Sequence, residues 1–165
     1  MKDQEFQAAF SMKEISYPFK KNVIRYILAE MENHANGNHE LQFDGLFSLE
    51  HIMPQTPSSV WDTNFTRTEQ TEYVDRLANF SLLEKEINEK LKNDLPFAKK
   101  TIYYQKSSYA LTNGLSRFPD WSPAAIDQRQ EEMAKIAVSI WKSAFDKKSS
   151  LSYRKSHPAD KPRKK

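Results

Sequence analysis

A short apolar run from Phe47 to Met53 carries two ionisable residues, Glu50 and His51, near its end, and Pro54 follows directly. Because proline has no backbone N–H, the run cannot continue past Pro54 as a central strand. The sequence therefore predicts a short strand, residues 46 to 52. This strand would end by presenting a carboxylate and an imidazole on adjacent residues.

Two asparagines follow this strand in an order that extends the pattern. Asn79 opens a second apolar run, residues 79 to 83, which has strand character. Asn88 lies in residues 84 to 92, where Glu, Lys and Leu favour a helix. The chain thus predicts a strand, a second strand and a helix, with one asparagine on each of the last two elements.

The rest of the chain has helical periodicity. Helices are predicted over residues 18 to 33, 67 to 77 and 98 to 112. The clearest helix begins at Ser122, a good N-cap, and Pro123, which suits a first turn, and an apolar stripe follows them. The predicted fold class is α+β and mostly α.

Composition excludes several classes of protein. The chain has 165 residues, enough for one domain with a tail, and no cysteine, so neither a disulfide framework nor a Cys-ligated zinc site is available. No opening apolar segment has the length of a signal or membrane helix. We therefore expect a cytoplasmic protein that does not bind membranes.

Charge divides the chain at about residue 145. Residues 146 to 165 hold eight Lys or Arg against two Asp, a net of +6, whereas the whole chain is +3, so residues 1 to 145 carry about −3. Apolar periodicity also ends near Phe145. We predict a folded domain over residues 1 to 145 and a basic, disordered tail over residues 146 to 165.

The motifs together resemble a known family of nucleases. Phe47 to Gln55, Leu77 to Leu83 and Asn88 follow the pattern of the HNH nucleases, whose ββα-metal core combines an acid-His pair, a central Asn and a last Asn or His in the closing helix. In particular, the chain is similar over roughly residues 15 to 145 to the C-terminal HNH domain of modification-dependent restriction proteins, the family DUF1524.

The resemblance implies a metal-dependent DNA endonuclease with particular residues at its site. His51 would be the general base, because a neutral imidazole with a pKa near ~6.5 can accept a proton from the attacking water. Glu50 and Asn88 would bind the metal, and their hard oxygen ligands suit Mg²⁺ or Mn²⁺. Asn79 would support the loop that orients His51.

The same resemblance suggests partners and conditions. Double-stranded DNA, from phage or otherwise modified, would be the substrate, and an N-terminal nucleotide-binding or sensing domain or subunit would accompany the nuclease in a restriction or anti-phage system. Lys90, Lys99 and Lys100 would contact phosphates, as lysine often does. Activity should fall below about pH 6 as an ordinary imidazole becomes protonated.

Two departures from the family pattern leave alternatives open. Ala78 stands where the family usually has Gly, and Glu50 replaces an Asp. The chain could therefore be a catalytically inactive HNH-like module that binds DNA or assists assembly. Each candidate site residue, considered alone, would also be compatible with a purely structural helical module in which His51 is a buried core histidine. The basic tail could supply non-specific DNA affinity or merely improve solubility.

Overall fold

The structure is a computed structural model that describes the backbone of residues 3–37, 47–91 and 95–156, with side chains as far as Trp141. Nine labelled elements follow along these residues: α1 (Asp3–Ser11), α2 (Tyr17–Ala35), β1 (Phe47–His51), α3 (Arg67–Tyr73), β2 (Phe80–Glu84), α4 (Lys85–Asn88), α5 (Phe97–Tyr104), α6 (Ala110–Asn113) and α7 (Pro123–Ser156). Short 3₁₀ turns at Ser59–Trp61, Leu77–Asn79 and Gly114–Arg117 join some of them.

Strands β1 and β2 form a two-stranded antiparallel sheet in which Phe47 pairs with Glu84 and His51 pairs with Phe80. The prediction of an α+β, mostly helical fold is confirmed. The order strand, strand, helix is also present, because α4 follows β2 directly. Helix α4 ends at Asn88 after a single turn, so it is shorter than the predicted segment of residues 84 to 92.

The two faces of the sheet pack against different helices. Alternation along a strand places His51 and its cross-strand partner Phe80 on one face, where the Tyr17 ring at the start of α2 contacts both. Ser48 and Glu50 lie on the other face, toward α4 and α5. The sheet is therefore covered on both sides, and the end of β1 lies among several elements.

Helix α7 begins as the sequence predicts. Pro123 is its first residue, and the backbone N–H of Ala125 donates to the side-chain oxygen of Ser122 at 3.4 Å. Ile126 and Met133 of the apolar stripe are buried. The N-cap and the stripe are thus confirmed.

The backbone of α7 continues to Ser156, beyond residue 146, where the sequence predicts that a tail begins. No proline or glycine lies between residues 124 and 156, and Lys, Arg, Ala and Leu in this stretch are good helix formers. Residues 157–165 are outside the described part of the chain, and the division into domain and tail stays a prediction.

A second difference concerns the segment predicted as a helix over residues 98 to 112. Helix α5 ends at Tyr104, and α6 begins only at Ala110. Between them, the side chains of Ser107 and Ser108 donate to the Glu84 carboxylate at 2.8 and 2.7 Å. These hydrogen bonds attach the connection between α5 and α6 to the end of β2. In a continuous helix the two serines would not have these partners.

Helix α1 has no counterpart in the sequence prediction. Its rings Phe6 and Phe10 pack against Trp141 of α7, with ring centroids 6.5 and 6.2 Å apart respectively. Two aromatic residues four apart are too short a pattern to mark a helix on their own. Their contact with α7, 131 residues or more along the chain, provides the burial that the local pattern does not show. No described helix has the combination of length and apolar character required to cross a membrane.

Candidate functional site

A polar pocket of about 220 Å³ opens at the end of β1. It is lined by residues of β1, of the segment after it, and of the α4 and α5 region: Leu49, Glu50, His51, Pro54, Gln55, Thr56, Leu91 and Lys100. β1 ends at His51, close to the end that Pro54 predicts, and the chain then lines the pocket with Pro54, Gln55 and Thr56. The acid-imidazole pair therefore lies at a concave surface.

Glu50 is held from one side by two buried donors. Lys100 Nζ donates to Glu50 Oε1 at 2.7 Å, and the Tyr104 hydroxyl donates to the same oxygen at 2.8 Å. The Glu50 residue is only 6 % exposed. Burial, and then the neighbouring Glu50 carboxylate, raises the pKa of Tyr104 well above its ordinary value, so this hydroxyl keeps its proton and remains a donor.

His51 packs in an aromatic cleft. Its ring lies 4.7 Å from the Tyr17 ring in an edge-on arrangement and 4.4 Å from the Phe80 ring, measured between centroids. Burial, and then the positive charge of Lys100, lowers the pKa of His51 from 6.5 to about 4. Its buried Nε2 has no hydrogen-bond partner among the described residues. The imidazole is therefore neutral at pH 7, and its Nε2 makes no hydrogen bond with the described residues.

Asn79 is fully buried and uses its whole amide group. Its side-chain oxygen accepts from the backbone N–H of Met53 at 2.9 Å and from the indole N–H of Trp121 at 3.0 Å. Its side-chain nitrogen donates to the carbonyls of Met53 and Val74 at 2.9 and 3.0 Å. The amide thus ties the segment just after His51 to the start of β2 and to Trp121, two residues before α7.

Asn88 lies on the same face of the sheet as Glu50. Its side-chain nitrogen donates to Ser48 Oγ at 2.8 Å, and Ser48 is two residues before Glu50 on β1. The Asn88 side-chain oxygen accepts no hydrogen bond in the described parts of the chain. The structure therefore brings the two expected metal ligands to one side of the sheet, whereas His51 packs on the other side.

The three lysines expected to contact phosphates differ in exposure. Lys90 and Lys99 are exposed, and each is the sequence neighbour of a residue that lines the pocket. Lys100 is only 2 % exposed, and its ammonium donates to Glu50 and to the carbonyl oxygens of His51 and Ile52 at 3.1 and 3.0 Å. The expectation of a phosphate contact therefore does not agree with the position of Lys100, because protein acceptors already bind its charged group.

Arg129 is a further buried cation that sequence reasoning did not single out. It extends from α7 to the start of β2, where it donates to the carbonyls of Ala78 and Phe80 at 2.5 and 2.8 Å. Burial lowers the pKa of Arg129 from its ordinary value to about 10, so the group remains charged at pH 7. Ala78 lies in a right-handed 3₁₀ turn, a conformation that does not require glycine.

Lys100 and Tyr104 could have been recognised from the helical pattern. Phe97, Lys100 and Tyr104 are spaced three and four residues apart, so they share one face of α5, and all three are buried. A lysine on an apolar face normally needs an anionic partner. Sequence alone does not identify that partner, because Glu50 is 50 residues away.

The donor set is compatible with a hard divalent cation. Glu50 Oε2 and the Asn88 amide oxygen are the two oxygens that remain after the hydrogen bonds above, and both belong to ligand types that Mg²⁺ and Mn²⁺ accept. Within the described residues, no group of three or more His, Cys, Asp or Glu side chains is gathered as a metal cluster. Two protein oxygens would leave most coordination positions to water and substrate.

The fold and the pocket together define a small α+β domain in which a two-stranded sheet presents an acid and an imidazole at a polar pocket. The chain belongs to the family of C-terminal domains of GmrSD restriction endonucleases, whose family model matches residues 1–136. The expected relation to restriction endonucleases is thus confirmed at the level of the family. A comparison with curated proteins found no match.

Proposed function

We propose that this domain is a metal-dependent DNA endonuclease with a ββα-metal core of the HNH type. The family supports a nuclease of a restriction system, and the restriction enzymes named by the family imply DNA as the substrate. The geometry supports the finer statement through the order of β1, β2 and α4. We propose double-stranded phage or modified DNA as the target, because the family resemblance implies it.

One observation carries the proposal more than any other. The end of β1 delivers Glu50 and His51 to a polar pocket, and Asn88 lies on the same side of the sheet as Glu50. Glu50 and Asn88 come from separate elements, yet each retains an oxygen that accepts no hydrogen bond in the described part of the chain. These oxygens support a metal held by Glu50 and Asn88 on one side of the sheet, whereas the His51 ring packs on the other side.

His51 is the proposed general base. A base must be neutral to accept a proton, and the pKa of about 4 keeps the His51 imidazole neutral throughout the physiological range. The Tyr17 and Phe80 rings restrict how the imidazole can turn. Because the buried Nε2 is shielded in this state, we propose that substrate binding gives water access to the ring.

Glu50 and Asn88 are the proposed ligands of Mg²⁺ or Mn²⁺. A divalent ion bound there would offset the negative charge that develops on the phosphate and the leaving oxygen. Glu50 is fixed by Lys100 and Tyr104, and Asn88 is fixed by Ser48, so neither ligand has to be ordered when the substrate arrives.

The remaining residues position the site or contact DNA. Asn79 fixes the backbone of Met53, two residues after the base. Lys90 and Lys99 are exposed and adjacent in sequence to residues that line the pocket, and they are our proposed phosphate contacts. We further propose a cytoplasmic location and an N-terminal nucleotide-binding or sensing partner, because the family resemblance implies both.

The experiment is cleavage of supercoiled plasmid by the purified chain with Mg²⁺ or Mn²⁺. We expect nicked or linear product from the wild type and at least about 100-fold slower cleavage by His51→Ala, the usual contribution of a general base. His34→Ala is the matched control, because His34 is exposed at the end of α2 and does not line the pocket. Equal rates for wild type and His51→Ala would remove His51 from the mechanism.

Glu50→Gln and Asn88→Ala should raise the Mn²⁺ concentration required for half-maximal cleavage. Glu89→Gln is the control for charge, since Glu89 is exposed next to Asn88. Unchanged metal titrations for both ligand variants would contradict their roles.

A second candidate function is a catalytically inactive module that binds DNA or assists assembly. The observation that favours it is the Lys100 ammonium, which already neutralises the Glu50 carboxylate. Such a module would bind DNA with the same affinity with and without divalent ions and would leave the plasmid intact under every condition. The plasmid assay and a binding isotherm in EDTA separate the two functions.

A further inference from the structure

Lys100 is a buried cation beside a proposed metal ligand, and the function proposed above gives its charge no role of its own. Its side chain is 3 % exposed. Its ammonium donates to Glu50 Oε1 and to the carbonyl oxygens of His51 and Ile52. An ammonium has three N–H donors, so all of them have acceptors within the protein. To contact a DNA phosphate, Lys100 would have to give up a complete set of hydrogen bonds.

Tyr104 acts on the same carboxylate oxygen. It lies one helical turn after Lys100 on α5, is fully buried, and donates to Glu50 Oε1 at 2.8 Å. Both donors bind Oε1, and no donor among the described residues binds Oε2. Because Glu50 also lines the pocket, its orientation is set from the protein side and Oε2 remains for a ligand.

We propose that Lys100 and Tyr104 are positioning residues that hold Glu50 through Oε1 and leave Oε2 to the pocket. We also infer that the Lys100 charge keeps the affinity of the DNA-free domain for divalent cations low. The inference rests on the proposed function, because it concerns the ligand role of Glu50. It replaces the expectation that Lys100 contacts DNA.

The electrostatic argument follows from the short distance between the charges. The Lys100 ammonium lies 2.7 Å from one oxygen of Glu50, and a divalent cation on the other oxygen would be within a few ångströms of it. Like charges at such separation in a partly buried site oppose each other strongly. A DNA phosphate brings negative charge into the pocket and offsets this repulsion. Cation and DNA should therefore bind cooperatively, and neither should bind the pocket well alone.

Mn²⁺ binding to the DNA-free chain, followed by electron paramagnetic resonance at pH 8, tests the inference without any cleavage. Lys100→Met should bind Mn²⁺ at least about tenfold more tightly than the wild type, because a nearby positive charge has been removed. Lys106→Met is the matched control, since Lys106 is exposed just after α5 and does not line the pocket. The tighter Mn²⁺ binding should disappear in the double variant that also carries Glu50→Gln. If Lys100→Met only disrupted the structure of the site, Mn²⁺ would bind more weakly than to the wild type.

DNA-binding isotherms at several salt concentrations supply a second readout. A lost phosphate contact would reduce the slope of log K against log salt by about 0.9. We expect Lys100→Met to keep the wild-type slope. A reduced slope, or Mn²⁺ binding that is no tighter than in the wild type, would overturn the inference.

Tyr104→Phe keeps the test decisive if Lys100→Met does not fold. It retains the ring and the Lys100 charge and removes one bond to Glu50 Oε1. We expect kcat to fall several-fold while KM for DNA stays constant, because the ligand is less well oriented but the DNA contacts are intact. An unchanged kcat would overturn the positioning role. A wild type that binds no Mn²⁺ with DNA and does not cleave would instead remove the proposed function, and this inference with it.

Discussion

Replacing His51 by glutamine should make the stability of the domain less sensitive to acid. In the folded chain, burial and then Lys100 lower the pKa of His51 to about 4, whereas an unfolded chain would titrate near 6.5. Between these values the unfolded state binds more protons. The stabilisation provided by the neutral imidazole is therefore complete above pH 6.5 and is lost as the pH falls toward 4.

The size of this loss follows from the shift. One pKa unit corresponds to about 1.4 kcal/mol, so His51 should reduce the free energy of unfolding by about 2 kcal/mol at pH 5 and by about 3 kcal/mol near pH 4. Urea unfolding of the wild type and of His51→Gln at pH 7 and pH 5, both in EDTA, would measure it. Other titrating groups are common to both chains and cancel in the comparison.

The wild type should lose about 2 kcal/mol more than His51→Gln between pH 7 and pH 5. His34→Gln, which changes an exposed histidine, should behave like the wild type. Equal losses in the wild type and His51→Gln would show that the His51 pKa is not lowered by folding.

The same shift of the His51 pKa lowers the pH below which catalysis is expected to stop. If His51 is the base, cleavage should persist well below pH 6, where an ordinary imidazole would already be protonated.

Four other changes test the structure at separate points. Asn79→Leu should reduce the free energy of unfolding by about 3 kcal/mol in chemical denaturation, because its buried partners lose their hydrogen bonds; a loss below 1 kcal/mol would contradict the contacts. Thr66→Ala removes the capping box of α3 and should cost about 1 kcal/mol without changing cleavage. Arg129→Met should cost at least about 2 kcal/mol and lower activity by loosening the start of β2. Deleting residues 147–165 should lower the DNA affinity and its salt dependence if the basic segment binds phosphates, and binding isotherms that superimpose would exclude that role.

Local signals account for the parts of the fold that the sequence predicts well. β1 ends at His51, three residues before Pro54, and Ser122 and Pro123 start α7 for reasons contained within one turn. The order of strands and α4 follows from short runs of apolar and helix-forming residues. Bounds that depend on such signals therefore agree with the structure to within a few residues.

Long-range contacts account for the parts that the sequence does not predict. The Glu84 carboxylate binds Ser107 and Ser108, and the predicted helix over residues 98 to 112 is divided there. Lys100 looks like one of two equivalent lysines in the sequence, but the face of α5 on which it lies turns it toward Glu50. The face of a helix or strand that is buried, and the element that covers it, depend on the whole fold. A single sequence does not show these long-range contacts directly.

The bonds made by Asn79 have a consequence for the order in which the domain folds. Its amide joins Met53, 26 residues earlier, to Trp121, 42 residues later. Closing chain segments of this length is slow compared with forming a helix, so the end of β1 should become rigid only in the last cooperative step. During synthesis that step must wait until Trp121 and the start of α7 have left the ribosome. We therefore expect a partly made chain to lack the ordered pocket at the end of β1.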